Sequence, residues 1–149
     1  MNSYFNIKLD AKYIKEFDVK CNVMISKVGK AAKQGTISAC KELQQMSLAQ
    51  VPRHTNTLAN SCYYKIDGNW KEGFTGIVGY GGNGDPISPL TGEHASTYMV
   101  AVHENLYAQH PIGKAKFLED PAREFASRPF KRTIFKQIKE LFGSLGGSS

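Results

Sequence analysis

The feature that most constrains this chain is a stretch without proline from Asp18 to Leu48. Within it Cys21, Ile25, Val28, Ala32, Gly35, Ala39, Leu43 and Met46 recur in steps of three and four. That spacing places them on one face of an α-helix. Asp18 is the expected N-cap, residues 11–17 form a helical turn or two before it, and the first proline beyond is Pro52. At 1.5 Å per residue the helix is roughly 46 Å long, more than a compact domain of this size needs. The middle of its face is small: Ala31, Ala32, Gly35, Ala39 and Cys40 lie close together. A glycine inside a helix costs about 1 kcal/mol relative to alanine, so a packing reason is expected, with a sheet or a neighbouring subunit against Gly35 and Ala39.

The rest of the chain reads as strands, a loop and a last helix. Residues 4–9 alternate as a short strand, and residues 61–66 and 73–80 are rich in strand formers. The turn-like Asp67-Gly68-Asn69 joins the latter two into an antiparallel hairpin. Residues 81–97 carry glycines and prolines without periodicity and are expected to be a flexible loop. Residues 98–104 (YMVAVHE) are expected to be a buried strand, which makes a sheet of about four strands. Asp120 caps the last helix with Pro121 at its first position. Pro129 kinks or splits that helix, with Ser127 capping the second part. Phe130, Ile134, Ile138, Leu141 and Leu145 form its apolar stripe, and residues 143–149 are a flexible tail. The expected fold is a single α+β domain over residues 1–149: a long N-terminal helix packed on an antiparallel sheet, with a C-terminal helix.

The chain of 149 residues carries 19 Lys and Arg against 13 Asp and Glu, a net charge of +6. Ten of these cations lie in two segments: Lys20, Lys27, Lys30, Lys33 and Lys41, and then Arg128, Lys131, Arg132, Lys136 and Lys139. Everything else is net acidic. Such clusters are either solvated helix faces or contacts for nucleic acid phosphates. The 41% hydrophobic content excludes a disordered or collagen-like chain. No apolar run approaches a membrane span, and the polar start lacks the centre of a secretory signal. Cys21, Cys40 and Cys62 are odd in number and widely spaced, so buried free thiols are expected. Neither His94, His103, Glu104 and His110 nor the glycine-rich residues 79–84 match a metal, phosphate-loop or nucleophile motif. No catalytic residue, metal or cofactor is expected.

The order of features nevertheless resembles a known family. Val51-Pro52, Thr55, Leu58-Ala59-Asn60-Ser61 is similar to the aP-x-x-TG-x-L-x-x-S signature of small neck proteins of long-tailed bacteriophages, the tail-completion or head-tail-joining proteins. Residues 98–104 resemble the family's Ya-x-yvh/eE segment, and Lys116-Phe117-Leu118-Glu119-Asp120-Pro121-Ala122 resembles its kFLe-P-a segment. Asn56 stands where the family usually has glycine, and Cys62 where a β-branched residue is common.

The resemblance implies a non-enzymatic structural subunit of a closed ring in the virion neck, made in the host cytoplasm. Its partners would be further copies of itself, six-fold more readily than twelve-fold, and other neck, connector and tail proteins. Phage DNA would pass through the channel without sequence-specific binding, and no membrane is involved. Ring subunits meet through two different surfaces. Candidate contacts are Gly35, Ala39, Asp85, Pro86, Ile87, Pro89, Leu90, Lys131, Arg132 and Lys136. Alternatives are a tail terminator, which is a similarly small ring protein, a small basic DNA-binding protein, or a histidine-based metal hydrolase.

Overall fold

The computed structural model describes residues 10–145 except Asn83 and Arg128. The strand expected over residues 4–9 and the last four residues of the expected tail lie outside that range. The chain is an α+β fold built on one spine, helix α1 (Ala11–Leu48). The helix begins earlier than expected because Asp10, not Asp18, caps it, its carboxylate accepting from Lys12 N at 2.9 Å. Nothing in residues 11–17 breaks the helical pattern, so α1 passes through Asp18 without interruption.

After the short helix α2 (Thr57–Asn60), strands β1 (Tyr63–Asn69) and β2 (Gly73–Gly79) pair antiparallel, with Tyr63 opposite Gly79 and Asn69 opposite Gly73. The turn falls at residues 70–72, three residues later than expected. Asn69 holds it there: its side-chain carbonyl accepts from Lys71 N at 2.9 Å and Glu72 N at 3.1 Å. The sheet has two strands among the described residues, not about four. Residues expected as a buried strand instead form helix α3 (Ala95–Glu104). Ala95, Tyr98, Met99 and Val102 are its inward positions, and their i, i+3, i+4, i+7 spacing is helical.

Helices α4 (Glu119–Ser127) and α5 (Pro129–Leu145) are separated at Pro129, as its missing N–H and fixed ring require. Ser127 does not cap α5; its hydroxyl donates back to Glu124 O at 2.6 Å. Residues 143–145 belong to α5 and not to a flexible tail. Helix α5 runs antiparallel to α1: Thr133 hydrogen-bonds Glu42, whereas Ile134 lies over Gly35.

The hairpin packs on the other flank of α1, and a two-stranded ribbon needs such support to be stable. The approach is close because Gly76 has no side chain; a Cβ there would overlap Cys40 Sγ and sit 3.1 Å from Thr36 Cγ2. Gly76→Ala is therefore expected to cost about 1–3 kcal/mol in urea unfolding. Combining it with Cys40→Ala should recover part of that loss; strictly additive costs would show that this contact does not limit packing.

Candidate interaction surfaces

The segments that carry the family resemblance converge where α1 ends. Val51, Leu58, Cys62, Tyr80 and Phe117 form the buried core, with Tyr98, Met99, Val102 and Leu118 packed around it. Ser47 is fully buried on α1; its hydroxyl donates to Phe117 O at 2.6 Å and meets Tyr80 Oη at 2.8 Å. Since the serine proton goes to Phe117, Tyr80 donates to Ser47. The Tyr80 and Phe117 rings meet edge to face at 5.0 Å.

Residues 112–114 run alongside the end of α1, with Arg53 N donating to Ile112 O at 3.2 Å and Lys114 N to Gln50 O at 2.9 Å. Gly113 sits at φ +90, and a Cβ there would lie 2.5 Å from Pro52 N, so this pairing needs glycine. Ser61 ties α2 to the segment after β2, donating from its hydroxyl to Leu58 O at 2.7 Å and accepting from Gly81 N at 3.1 Å.

A charged cluster holds α3 to the start of α4. Lys116 Nζ lies 2.5 Å from Glu104 and 2.9 Å from Glu119, Arg123 pairs with Glu119 at 2.8 Å, and His103 Nδ1 lies 2.8 Å from Glu104. The His103 ring also meets the Phe117 ring edge to face at 4.9 Å. Hydrogen bonds from Lys116 and then His103 hold the Glu104 carboxyl below its ordinary value, and Lys116 likewise lowers Glu119. The two carboxylates raise Lys116. The lowered carboxyls stabilise the fold above their unfolded values near 4.5, and that contribution is lost as pH falls through the folded values. The raised lysine contributes until pH climbs past 10.5. The melting temperature is thus expected to be level through neutral pH and to fall below about pH 4.5. Glu104→Gln should lower the neutral value, and its difference from wild type should shrink in acid; a constant difference would exclude this ion-pair contribution.

The two buried thiols, Cys40 and Cys62, are pushed up by burial, for Cys62 partly offset by side-chain hydrogen bonding with Gln44 and Tyr80, and Cys21 is half-buried. Burial also raises the Tyr80 hydroxyl. Such thiols stay protonated at neutral pH and behave as small apolar groups. His94, His103 and His110 are not brought together. His94 Nδ1 lies 2.9 Å from Asp85 O, His103 belongs to the charged cluster, and His110 lines a cleft of about 280 Å³ with His54, Thr57, Glu93 and Tyr98. Among the described residues no group of three His, Cys, Asp or Glu is placed to hold a metal. None of the described helices is long and apolar enough to cross a membrane.

The candidate contact residues divide into three groups. Gly35 and Ala39 are buried within the chain itself; a Cβ on Gly35 would lie 3.2 Å from Ile134 Cδ1, so small size here admits α5. Asp85 caps α3 from a distance, accepting from Ser96 N at 2.9 Å and Ser96 Oγ at 2.6 Å, which lowers its pKa. Pro86 O accepts from Ala95 N, Ser88 N donates to Glu93 O, and Ile87 bridges His94, so residues 85–94 are a hydrogen-bonded loop and not an unstructured one. That loop leaves Ile87, Pro89 and Leu90 exposed. Lys131, Arg132 and Lys136 are exposed on α5, with Arg132 3.9 Å from Glu42 and Lys136 4.0 Å from Glu140.

Two apolar surfaces stand out, of which the sequence marks only the small residues and the α5 stripe of the second. Every residue from Ala11 to Lys20 is exposed, including Tyr13, Ile14 and Phe17. Further along α1, a groove of about 710 Å³ opens between α5 and the hairpin tip, with Ala31, Ala32 and Gly35 among its lining and Trp70, Phe74, Ile134 and Ile138 beside them. The exposed half of the stripe is the same face that α5 and the hairpin cover lower down. Periodicity reveals the face but not where its cover stops.

Replacing Ser47 by alanine leaves two buried groups, the Tyr80 hydroxyl and the Phe117 carbonyl, without this partner. A loss of about 1–3 kcal/mol in denaturant unfolding is expected. In a Tyr80→Phe background the loss should be smaller, and an equal loss would place the coupling elsewhere. Comparison of the chain with family models, with characterised proteins and with solved structures finds no match.

Proposed function

We propose that this chain is a structural subunit of the neck that joins the DNA-filled head of a tailed bacteriophage to its tail, acting by assembly and not by catalysis. The observation that carries this reading is the convergence of the three resembling segments. Val51, Leu58 and Ser61, then Tyr98 and Glu104, then Lys116, Phe117 and Glu119 are far apart in sequence yet interlock as one unit. Segments that jointly build a scaffold are what a family signature without chemistry should contain. Asn56 adds support: at φ 59 it occupies the left-handed region, which suits the glycine usual in the family at that place and which asparagine tolerates.

The surface is also that of an assembling part. Among the described residues there is an excess of uncovered apolar side chains, with Tyr13, Ile14 and Phe17 on α1 and Ile87 and Leu90 on the loop all exposed. Subunits in a ring about the DNA channel would cover part of that excess through contacts between unlike faces. The subunit is made in the host cytoplasm and resides in the virion, and DNA passes through the ring without sequence readout.

The test is genetic. Phage lacking this chain should yield DNA-filled heads and separate tails that do not join, and supplying the protein to those lysates should restore joined particles. Normally joined virions without it would remove the reading.

A further inference from the structure

We propose that the cleft between α1 and the hairpin tip binds single-stranded nucleic acid, with a base stacked on Trp70 and phosphates held by Lys30 and Lys33. This goes beyond the proposed function and does not depend on it. The cleft measures about 350 Å³, and Asn22, Ser26, Lys30 and Lys33 of α1 line it together with Trp70 and Phe74. The α1 residues recur in steps of four, four and three, so one helix face carries two ammonium groups with an amide and a hydroxyl.

The sequence holds no aromatic residue from Lys27 to Lys41, and the fold supplies one. Trp70 is seated on Gly29, where a Cβ would come within 2.9 Å of the Trp70 Cβ, and its side chain stays 56% exposed. Cations beside an exposed aromatic ring are the parts of a single-strand site: the ammoniums meet phosphates and the ring stacks a base of any identity. A duplex keeps its bases stacked on one another and has none to offer. Lys71 Nζ now lies 5.4 Å from the Trp70 ring centroid. Such an exposed cation–π contact is weaker than base stacking, so an incoming base displaces Lys71 and frees its ammonium for a third phosphate.

The charges around the cleft favour an anion. Among the described residues Lys30 and Lys33 take part in no ion pair, whereas on α5 Arg132 and Lys136 lie 3.9 and 4.0 Å from Glu42 and Glu140. From Asn22 to Lys41 α1 carries no acid. Glu16 and Asp18 precede Asn22 by one to two turns, but Asp18 is about 18 Å from Lys30 along the axis, and Glu42 about 14 Å from Lys33. Both distances exceed the screening length of about 8 Å. On the hairpin, Glu72 accepts from Asn69 Nδ2 at 2.8 Å. Asp67 pairs with Thr75, and because the adjacent Gly76 faces Cys40 of α1, alternation turns both away from the cleft.

Trp70 is the one tryptophan of the chain, so its fluorescence reports on this cleft alone. With the full-length protein, oligothymidylate and oligouridylate of about ten nucleotides should quench it, and a duplex of that length should not. Quenching by either strand supports the proposal, and the stronger response tells DNA from RNA. Measured by anisotropy of the labelled strand, the logarithm of the binding constant should fall against that of salt with a slope of about −2, roughly 0.7 for each of three phosphates. Lys30→Gln with Lys33→Gln should reduce the slope to about −0.7, while Lys131→Gln with Arg132→Gln on α5 should leave it unchanged. These lysine and arginine positions are exposed, so melting should match wild type in both double variants. Trp70→Ala should weaken binding at least about 5-fold, and Trp70→Phe, which keeps a ring, should recover part of the loss. No quenching by either strand, an equal response to duplex, or equal losses from the α1 and α5 variants would overturn the proposal. So would a Trp70 response to phosphatidylserine vesicles and not to the strands.

Discussion

The buried hydroxyl of Ser47 is the junction on which the rest of the molecule depends. It lies on the spine helix, yet its partners are 33 and 70 residues away, the Tyr80 hydroxyl after β2 and the Phe117 carbonyl before α4. In a water-poor site an unmade hydrogen bond is far more costly than a made one is favourable, so three segments are held to one relative placement. Around that point Gly113 brings residues 112–114 against the α1 exit, and Ser61 fastens α2 to the start of the loop. The charged cluster at Lys116 then fixes α3. Specific polar contacts define the geometry of the apolar cluster of Val51, Leu58, Cys62, Tyr80 and Phe117 at this junction.

The small residues of α1 have a consequence of their own. With Gly35 under α5, and Cys40 against Gly76 of β2, both flanks of the spine are approached at short range. Close approach on two sides leaves a channel between the two neighbours. The groove is thus a by-product of the same choice that packs the body.

The sequence made α1, the hairpin and the break at Pro129 legible, because each rests on a local signal: a 3.6-residue period, two strand-like runs around a turn, and a ring without an N–H. Helix α3 was not legible as such. Its apolar run is short enough to fit either a strand or a helix, and the carboxylate that caps it belongs to Asp85, eleven residues upstream across an irregular loop. Ser47 was invisible for a related reason, since an isolated serine on a helix reads as neutral until its distant partners are in place. Of the contact residues, Gly35 and Ala39 were found by a packing argument; both are buried within the chain, and the neighbour of Gly35 is the chain's own α5. The arm escaped notice because its residues look like the buried part of the same stripe.

Starting a helix from coil is the difficult step, since several residues must be fixed before the first hydrogen bond forms, whereas lengthening an existing helix is close to neutral. In α1 the packed C-terminal half supplies the start. The arm is therefore an extension grown from a template, kept straight by a fold that it does not itself touch. Valines and isoleucines with poor helical preference can be carried there without a separate folding nucleus. Loosening of the body would accordingly reach the arm as loss of its template, so that an unfolded or damaged subunit would lose the arm's helix along with its core.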